Sequence, residues 1–279
     1  MFYKKNTNFA WLCVGLAVFV CGMAAAGAWD LALDTALYNP TSTFAIAMEC
    51  LGFLPIYLPV LFWLDTLLLD RSLKKPLRIG ALVLRTAGLL GLAAYILHNF
   101  QKRGVTTAAA VSVVLFALLS LIPLWLCARS EALRKKLAFV MRWGTIYMIL
   151  DNAVINVLKL IWARTRFDDM YAAGSFDAFT AWWQPFGNGG TSFPSGHTAS
   201  ACSILVLVLL CDVFASLAKK RTLVWTVCWG YIAMMAYARI LIGRHFLSDT
   251  LAAAFVMLCL FFVMVKSKWY KAGLQQLES

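Results

Sequence analysis

Residues 239–249 read Arg-Ile-Leu-Ile-Gly-Arg-His-Phe-Leu-Ser-Asp, a charged stretch that joins two long apolar segments. Ionisable side chains are costly in a bilayer and mark functional sites where they occur. His245 and Asp249 are one helical turn apart, so the carboxylate can accept from one imidazole nitrogen and leave the other as base or nucleophile. Arg239 and Arg244 add positive charge. The stretch indicates attack on an anionic group such as phosphate, although alone it is equally typical of a basic loop facing lipid headgroups.

The apolar segments on either side predict the fold class. The chain has 279 residues, 62% hydrophobic and 14% charged, with a mean hydropathy of +0.77. Soluble domains carry more charge, so we predict an all-α, polytopic membrane helical bundle. Eight segments have roughly the 20 apolar residues that cross a bilayer. They are residues 9–29, 49–69, 79–98, 108–127, 137–158, 198–217, 223–242 and 248–265.

The net charge of +12 is informative through its distribution along the loops. Basic residues concentrate in alternate loops, for example at Arg71 and Lys74, and again at Lys219 and Lys220. The positive-inside rule makes these loops cytoplasmic and predicts that both termini lie on that side. Arg85, just inside the third span, is expected to extend back to the same surface. The charge thus follows membrane topology, and no nucleic-acid partner is predicted.

Side chains that could carry out a reaction are distributed unevenly between the two halves of the chain. Residues 1–136 are predicted to form an N-terminal four-helix membrane region without evident chemistry, in which Asp30 and Asp34 are solvated in an outer loop. Residues 137–270 are predicted to form a four-helix catalytic core. Its longest connection, the outer loop 167–193, is rich in turn-forming and aromatic residues and is typical of a lid or an interfacial loop.

A polar stripe marks the end of the fifth span. Asn152, Asn156 and Lys159 recur on one helical face. The two asparagines predict hydrogen bonds between helices. Arg164 and Arg166 follow Lys159, and three neighbouring cations without local acids indicate that an anion binds among them.

A second motif opens the sixth span, where residues 192–197 read Ser-Phe-Pro-Ser-Gly-His. Ser195 and Gly196 at the start of a helix present free backbone N–H groups and the positive end of the helix dipole, which together bind anions. His197 is expected to point into this anion site.

The alternating direction of the spans brings these motifs together. The end of span five, the start of span six, the end of span seven and the start of span eight lie on one face of the bundle. Two of the three histidines, His197 and His245, therefore meet the cations at one rim. The combination predicts a single site.

These residues resemble the three-part signature of the type 2 phosphatidic acid phosphatase superfamily, over roughly residues 138–265. The spacing agrees throughout. The matching positions are Lys159 and Arg166, then Pro194, Ser195, Gly196 and His197, then Arg239, His245 and Asp249. Phe167 stands where the family has proline, and Ala238 stands where it usually has serine.

The resemblance implies a metal-independent lipid phosphatase that acts through a phosphohistidine. His245 is the implied nucleophile, Asp249 orients it, and His197 is the acid and base. The implied phosphate-binding residues are Lys159, Arg166, Ser195, Gly196 and Arg239, with Arg164 and Arg244 as further contacts. No cofactor is predicted. A zinc site of His197, His245 and Asp249 is the competing interpretation.

The expected substrate is a phosphate monoester or diphosphate of a lipid, with undecaprenyl diphosphate as one member of the class. We expect a multi-pass protein of a cell membrane, in contact with membrane lipids, with its active site on the extracytoplasmic side and no obligate protein partner. A lipid phosphotransferase with the same phosphohistidine, an anion transporter or channel, and a non-catalytic scaffold stay open as alternatives.

Overall fold

The computed structural model describes the backbone of residues 5–278 and the side chains of residues 9–105 and 108–277. Residues 1–4, at the start of the predicted N-terminal region, and residue 279 lie outside the described residues. The described backbone is 81% helical, and no strand occurs between residues 5 and 278. A helix satisfies its own backbone hydrogen bonds, which is why an apolar chain in a bilayer adopts it. The predicted all-α class is confirmed.

The described residues contain fourteen α-helices and one 3-10 turn, Cys202–Leu205. The helices are α1 (Lys5–Leu37), α2 (Thr43–Leu51), α3 (Leu54–Leu69), α4 (Lys75–Lys102), α5 (Thr106–Leu119), α6 (Leu121–Arg129), α7 (Glu131–Trp162), α8 (Phe167–Ala173), α9 (Gly196–Ala201), α10 (Val206–Val213), α11 (Ala215–Ala218), α12 (Arg221–Leu241), α13 (Leu247–Lys266) and α14 (Lys268–Glu278).

Eight segments of the described chain are long and apolar enough to cross a membrane, which confirms the predicted number. The second span consists of α2 and α3, the fourth of α5 and α6, and the sixth of α9, the 3-10 turn and α10. This multi-pass arrangement places the ends of α7 and α12 beside the starts of α9 and α13.

The break in the second span has a local cause. Gly52 ends α2 by donating its N–H to the Met48 carbonyl, and a proline occupies the first turn of α3. Tyr231 of α12 donates its hydroxyl to the Gly52 carbonyl at 2.5 Å. A side chain at Gly52 would overlap Met235 of α12. The break therefore fits α2 closely against α12, while α3 packs along α7.

The largest hydrophobic core lies among α7, α10, α12 and α13. Its centre is Trp225, which is fully buried and packs against Phe261 and Phe262. Trp11 of α1 stacks on Trp225 with a centroid separation of 6.1 Å. Because α1 also packs along α13, the first helix of the chain lies against the helices of the predicted catalytic core.

A second apolar cluster joins α2, α3, α4 and α5, with Phe53, Leu61 and Ile96 among its buried members. Next to it, Arg85 of α4 forms a buried ion pair with Asp65 of α3 and donates to the Ser120 carbonyl at 2.9 Å. The prediction that Arg85 extends to the membrane surface is wrong, because a carboxylate on the neighbouring helix neutralises it within the bundle.

Two further predictions about polar residues are also wrong. Asp30 and Asp34 are 3% and 0% exposed rather than solvated, because α1 continues to Leu37 and packs against α13. The amides of Asn152 and Asn156 are exposed, and each donates to the carbonyl four residues earlier in α7 rather than to another helix.

Candidate active site

The site is built on the C-terminal end of α7 and the chain that returns to it. Ala163 adopts a left-handed conformation and ends the helix. Residues 186–192 lie alongside residues 161–164 and run in the same direction, and four of their N–H groups donate to consecutive carbonyls from Ile161 to Arg164 at 2.9 Å. The close approach requires Gly190, since a Cβ there would overlap the Arg164 carbonyl. This pairing fixes Thr191 and Ser192 beside Lys159 and Arg166.

Thr191 joins two of the predicted phosphate-binding residues. Lys159 donates from Nζ to the Thr191 carbonyl at 2.5 Å, and Arg166 donates from Nη2 to Thr191 Oγ1 at 2.8 Å. Arg166 Nε is buried without a partner among the described atoms. Both cations are thus held by one residue and keep donors for an anion.

The second motif starts α9 next to these cations. Ser195 caps the helix, and its Oγ accepts from the Thr198 N–H at 3.3 Å. The Ser195 N–H donates to the backbone carbonyl of Asp249 at 3.0 Å, which ties α9 to α13. A Cβ on Gly196 would lie 3.5 Å from Lys159 Cε. The Ser195–His197 motif therefore contacts Lys159 of the preceding span, at the predicted end of the bundle.

His245 precedes α13 and is 3% exposed. Its Nδ1 lies 2.7 Å from the Ser192 carbonyl and 3.8 Å from Asp249 Oδ2. The carbonyl can only accept, so Nδ1 carries the hydrogen and Nε2 keeps the free lone pair of a neutral imidazole. Burial lowers the pKa of His245 to about 3, which keeps the ring neutral at pH 7.

Asp249 orients this arrangement mainly through Ser192. Its Oδ2 accepts from Ser192 Oγ at 2.5 Å and from the Phe246 N–H at 2.9 Å, and its Oδ1 accepts from Arg164 Nη1 at 2.7 Å. The carboxylate is fully buried and has its lone pairs engaged. No group of metal-binding side chains, including the zinc site considered above, is formed within the described chain.

Arg164 differs from its expected role as a further phosphate contact. The side chain is fully buried and bridges Asp249 to Asp30 of α1, whose carboxylate accepts from Nη2 at 3.0 Å. Its guanidinium also lies 4.1 Å from the ring centre of Phe246. Asp30 accepts from the N–H of Ser248 as well. Arg164 therefore has a structural role in buried ion pairs beneath the site. It does not serve as a phosphate contact here, because its donors already bind protein oxygens.

Arg239, at the end of α12, is 3% exposed and donates from Nη1 to Glu49 of α2 at 3.2 Å. Its Nε is buried without a partner among the described atoms. Glu49 also accepts from Arg103 Nε at 2.6 Å. Arg244 pairs with Asp168 of α8 at 3.1 Å. Arg239 therefore keeps a buried donor that is available to an anion.

His197 completes the site from the first turn of α9. Its Nε2 is buried and has no partner among the described atoms. The ring lies within electrostatic range of Arg239, His245 and Lys159, and Phe53 meets it edge-on at 6.3 Å between ring centres. The structure therefore brings His197 and His245 together with the predicted cations.

The two departures from the family signature lie in packed surroundings. Phe167 is fully buried and contacts Tyr38 of the α1–α2 connection and Phe246, which is next to His245. Ala238 is fully buried against Ala45 of α2. Both positions make contact with the N-terminal part of the chain, and neither replaces a charged group of the site.

Sequence reasoning missed five contributors: Asp30, Glu49, Arg103, Thr191 and Ser192. Acidic side chains within apolar segments are themselves a functional signal, and that signal applied to Glu49. Thr191 and Ser192 act through both their backbone carbonyls and their hydroxyls. Contacts of a backbone carbonyl are not revealed by any residue-type pattern.

The comparison with protein families returns one finding. The family model of the PAP2 superfamily matches residues 141–272, the segment from α7 to α14 that contains every residue of the three motifs. The predicted family is thereby confirmed. No curated protein and no solved structure matches this chain.

Proposed function

We propose that this multi-pass membrane protein, whose residues 141–272 belong to the PAP2 superfamily, is a lipid phosphatase that works through a phosphohistidine. The family supports a phosphatase-type activity. The lipid substrate, the covalent intermediate and the metal-independent chemistry are the proposal.

One observation carries the proposal: a neutral, buried His245 and the unpartnered Nε2 of His197 share one site with three cations. Nε2 of His245 attacks phosphorus while the bond to the leaving oxygen breaks, and His197 gives that oxygen a proton. A water then attacks the phosphohistidine, passes its proton to His197 and frees His245. Ser192 and Asp249 hold the attacking ring and stabilise its positive charge.

Lys159, Arg166 and Arg239 stabilise the phosphoryl oxygens, assisted by Ser195 and the N–H of Gly196. Donors placed where charge develops contribute most when water is excluded. Arg166 and Arg239 each keep a buried, unused Nε, and a phosphoryl oxygen would satisfy both.

The position of the site at the end of a membrane bundle favours an amphiphilic substrate. Leu160 and Phe186, beside the returning loop, are 82% and 81% exposed, as expected for side chains that contact acyl chains or headgroups. The basic loops support an orientation with both termini in the cytoplasm and the site on the extracytoplasmic side of a cell membrane. Undecaprenyl diphosphate is one lipid that fits these requirements.

The test is phosphate release by the purified protein from prenyl diphosphates, phosphatidic acid, phosphatidylglycerol phosphate and lipid A, with and without chelator. We expect His245→Ala to lower turnover by roughly three orders of magnitude or more, and His197→Ala to lower it strongly. His98→Ala, at the exposed third histidine, is the matched control and should leave turnover unchanged.

Each competing interpretation predicts a different result. Loss of activity with chelator would contradict the metal-independent chemistry. Phosphate transfer to an added lipid acceptor, without release, would identify a phosphotransferase. An anion transporter would keep its function in His245→Ala, provided that the cations remain.

A further inference from the structure

We infer that Glu49 is a positioning residue of the proposed phosphatase, and that it holds Arg239 in the geometry that binds the phosphoryl group. The inference rests on the proposed function. Glu49 belongs to α2, outside the segment matched by the family. Its Oε1 accepts from Arg239 Nη1 at 3.2 Å, with the two side chains 12% and 4% exposed.

The contact decides which part of the guanidinium is available. An arginine presents its donors as a planar fork, and phosphate is bound best by two of them at once. Glu49 engages Nη1, whereas Nε is buried and unpartnered among the described atoms. The carboxylate therefore directs the remaining donors of Arg239 toward the site.

The same residue borders the proposed acid. The backbone of Glu49 faces the His197 ring. Like Arg239 Nε, the Nε2 atom of His197 is buried and has no partner among the described atoms. Phe53, one turn further along the chain, packs edge-on against that ring. The end of α2 and the residue before α3 thus border both the proposed acid and a proposed phosphate-binding cation.

Glu49 is itself held from the far side. Arg103, which follows α4, donates from Nε to Glu49 Oε2 at 2.6 Å. The chain of charges Arg103, Glu49 and Arg239 joins α4, α2 and α12.

A carboxylate beside a phosphate site repels the ligand, so its benefit must come from orientation. Misplacing a catalytic group by an ångström costs orders of magnitude in rate, whereas removing a negative charge favours binding of an anionic substrate. Loss of Glu49 is therefore expected to lower kcat without raising KM. Partial unfolding also lowers the apparent kcat at constant KM, so kcat is referred to the folded fraction of each variant, measured by its thermal unfolding transition.

The experiment compares Glu49→Gln with Asp65→Asn. Asp65 is the matched control, since it also pairs with an arginine inside the N-terminal region but lies away from the site. On a lipid phosphate that the wild-type protein hydrolyses, we expect Glu49→Gln to lower kcat about tenfold or more with KM equal or lower. Asp65→Asn should keep kcat within about twofold.

Arg103→Gln is a second variant, which leaves Glu49 bound to Arg239 alone. We expect it to lower kcat about threefold, and it decides the question if Glu49→Gln does not fold. A Glu49→Gln protein with unchanged kcat, a rise in KM along with the loss of kcat, or an equal loss in Asp65→Asn would overturn the inference. A wild-type protein inactive on every lipid phosphate would contradict the proposed function itself, and the inference with it.

Discussion

At the scale of single residues, the important property of His245 is that its two nitrogens are distinguished by a backbone carbonyl. The Ser192 carbonyl accepts a hydrogen bond from His245 Nδ1 at 2.7 Å, whereas the nearest oxygen of Asp249 lies 3.8 Å from Nδ1. Asp249 holds Ser192 through its hydroxyl. The carboxylate therefore fixes His245, the proposed nucleophile, through an intermediate residue, and the tautomer depends on the position of residues 186–192.

The protonation state of His245 is the first prediction. Burial lowers its pKa from the ordinary 6.5 to about 3. The imidazole therefore binds a proton more readily in the unfolded chain than in the folded protein. The stability tied to the neutral ring is complete above pH 6.5 and is lost as the pH falls toward 3. We expect ¹⁵N NMR of histidine-labelled protein, assigned with His245→Ala, to show a neutral ring down to about pH 4.5. A midpoint near the ordinary value would contradict the buried geometry.

Arg164 and Arg166 provide a matched pair for the second prediction. Arg164 bridges two buried carboxylates, so Arg164→Ala leaves them uncompensated and should cost about 3–5 kcal/mol of unfolding free energy. Arg166 makes one side-chain hydrogen bond, to Thr191. Arg166→Ala should change stability by less than about 1 kcal/mol while lowering turnover. Unfolding and phosphate release measured on both variants check this, and equal stability losses would refute the structural role of Arg164.

At the scale of elements, the end of α7 and residues 186–192 act as one unit. Four consecutive backbone hydrogen bonds join them, and Thr191 and Ser192 then hold Lys159, Arg166 and His245. The proposed nucleophile and two cations therefore depend on one short backbone pairing.

The third prediction tests this pairing at Gly190. In Gly190→Ala the new Cβ would meet the Arg164 carbonyl, and neither backbone can move away without breaking the pairing. We expect at least a tenfold loss of kcat, since the adjoining residues hold the nucleophile. Gly80→Ala in α4 is the control, because a Cβ there meets no atom within 4 Å. An unchanged rate in Gly190→Ala would show that the loop position is irrelevant to catalysis.

At the scale of the whole molecule, the N-terminal helices are part of the site. The first helix supplies Asp30 to Arg164 and Ser248, and the second supplies Glu49 to Arg239. Residues 141–272 alone would leave Arg164, a buried arginine of this segment, without one of its two carboxylates. The N-terminal region thus stabilises the charges of a site whose motifs lie elsewhere.

Asp30 and Asp34, one turn apart in α1, allow the fourth prediction. Asp30 accepts three hydrogen bonds, so Asp30→Ala should lower the unfolding free energy by about 3 kcal/mol and also lower kcat. The Asp34 carboxylate is buried without a partner among the described atoms. Asp34→Asn should therefore be neutral or stabilising. Melting temperatures in one detergent compare the two variants, and a larger loss in Asp34→Asn would contradict this account.

Apolar length and motif spacing alone established the eight spans, the family and the end of the bundle where Lys159, His197 and His245 meet. These are properties of short segments, because a helix needs only a local run of apolar residues and alternating spans place their ends without further information. The two departures at Phe167 and Ala238 were also visible, although their packing was not.

Only the packed structure decided how the charges are shared. Arg164 proved to be a buried ion pair, Ser192 came between Asp249 and His245, and Glu49 reached Arg239. Glu49 and Arg239 are 190 residues apart in the chain, so no local pattern relates them. Burial removes water from these groups and makes each one depend on whichever partner the fold brings to it, which is a property of the assembled bundle.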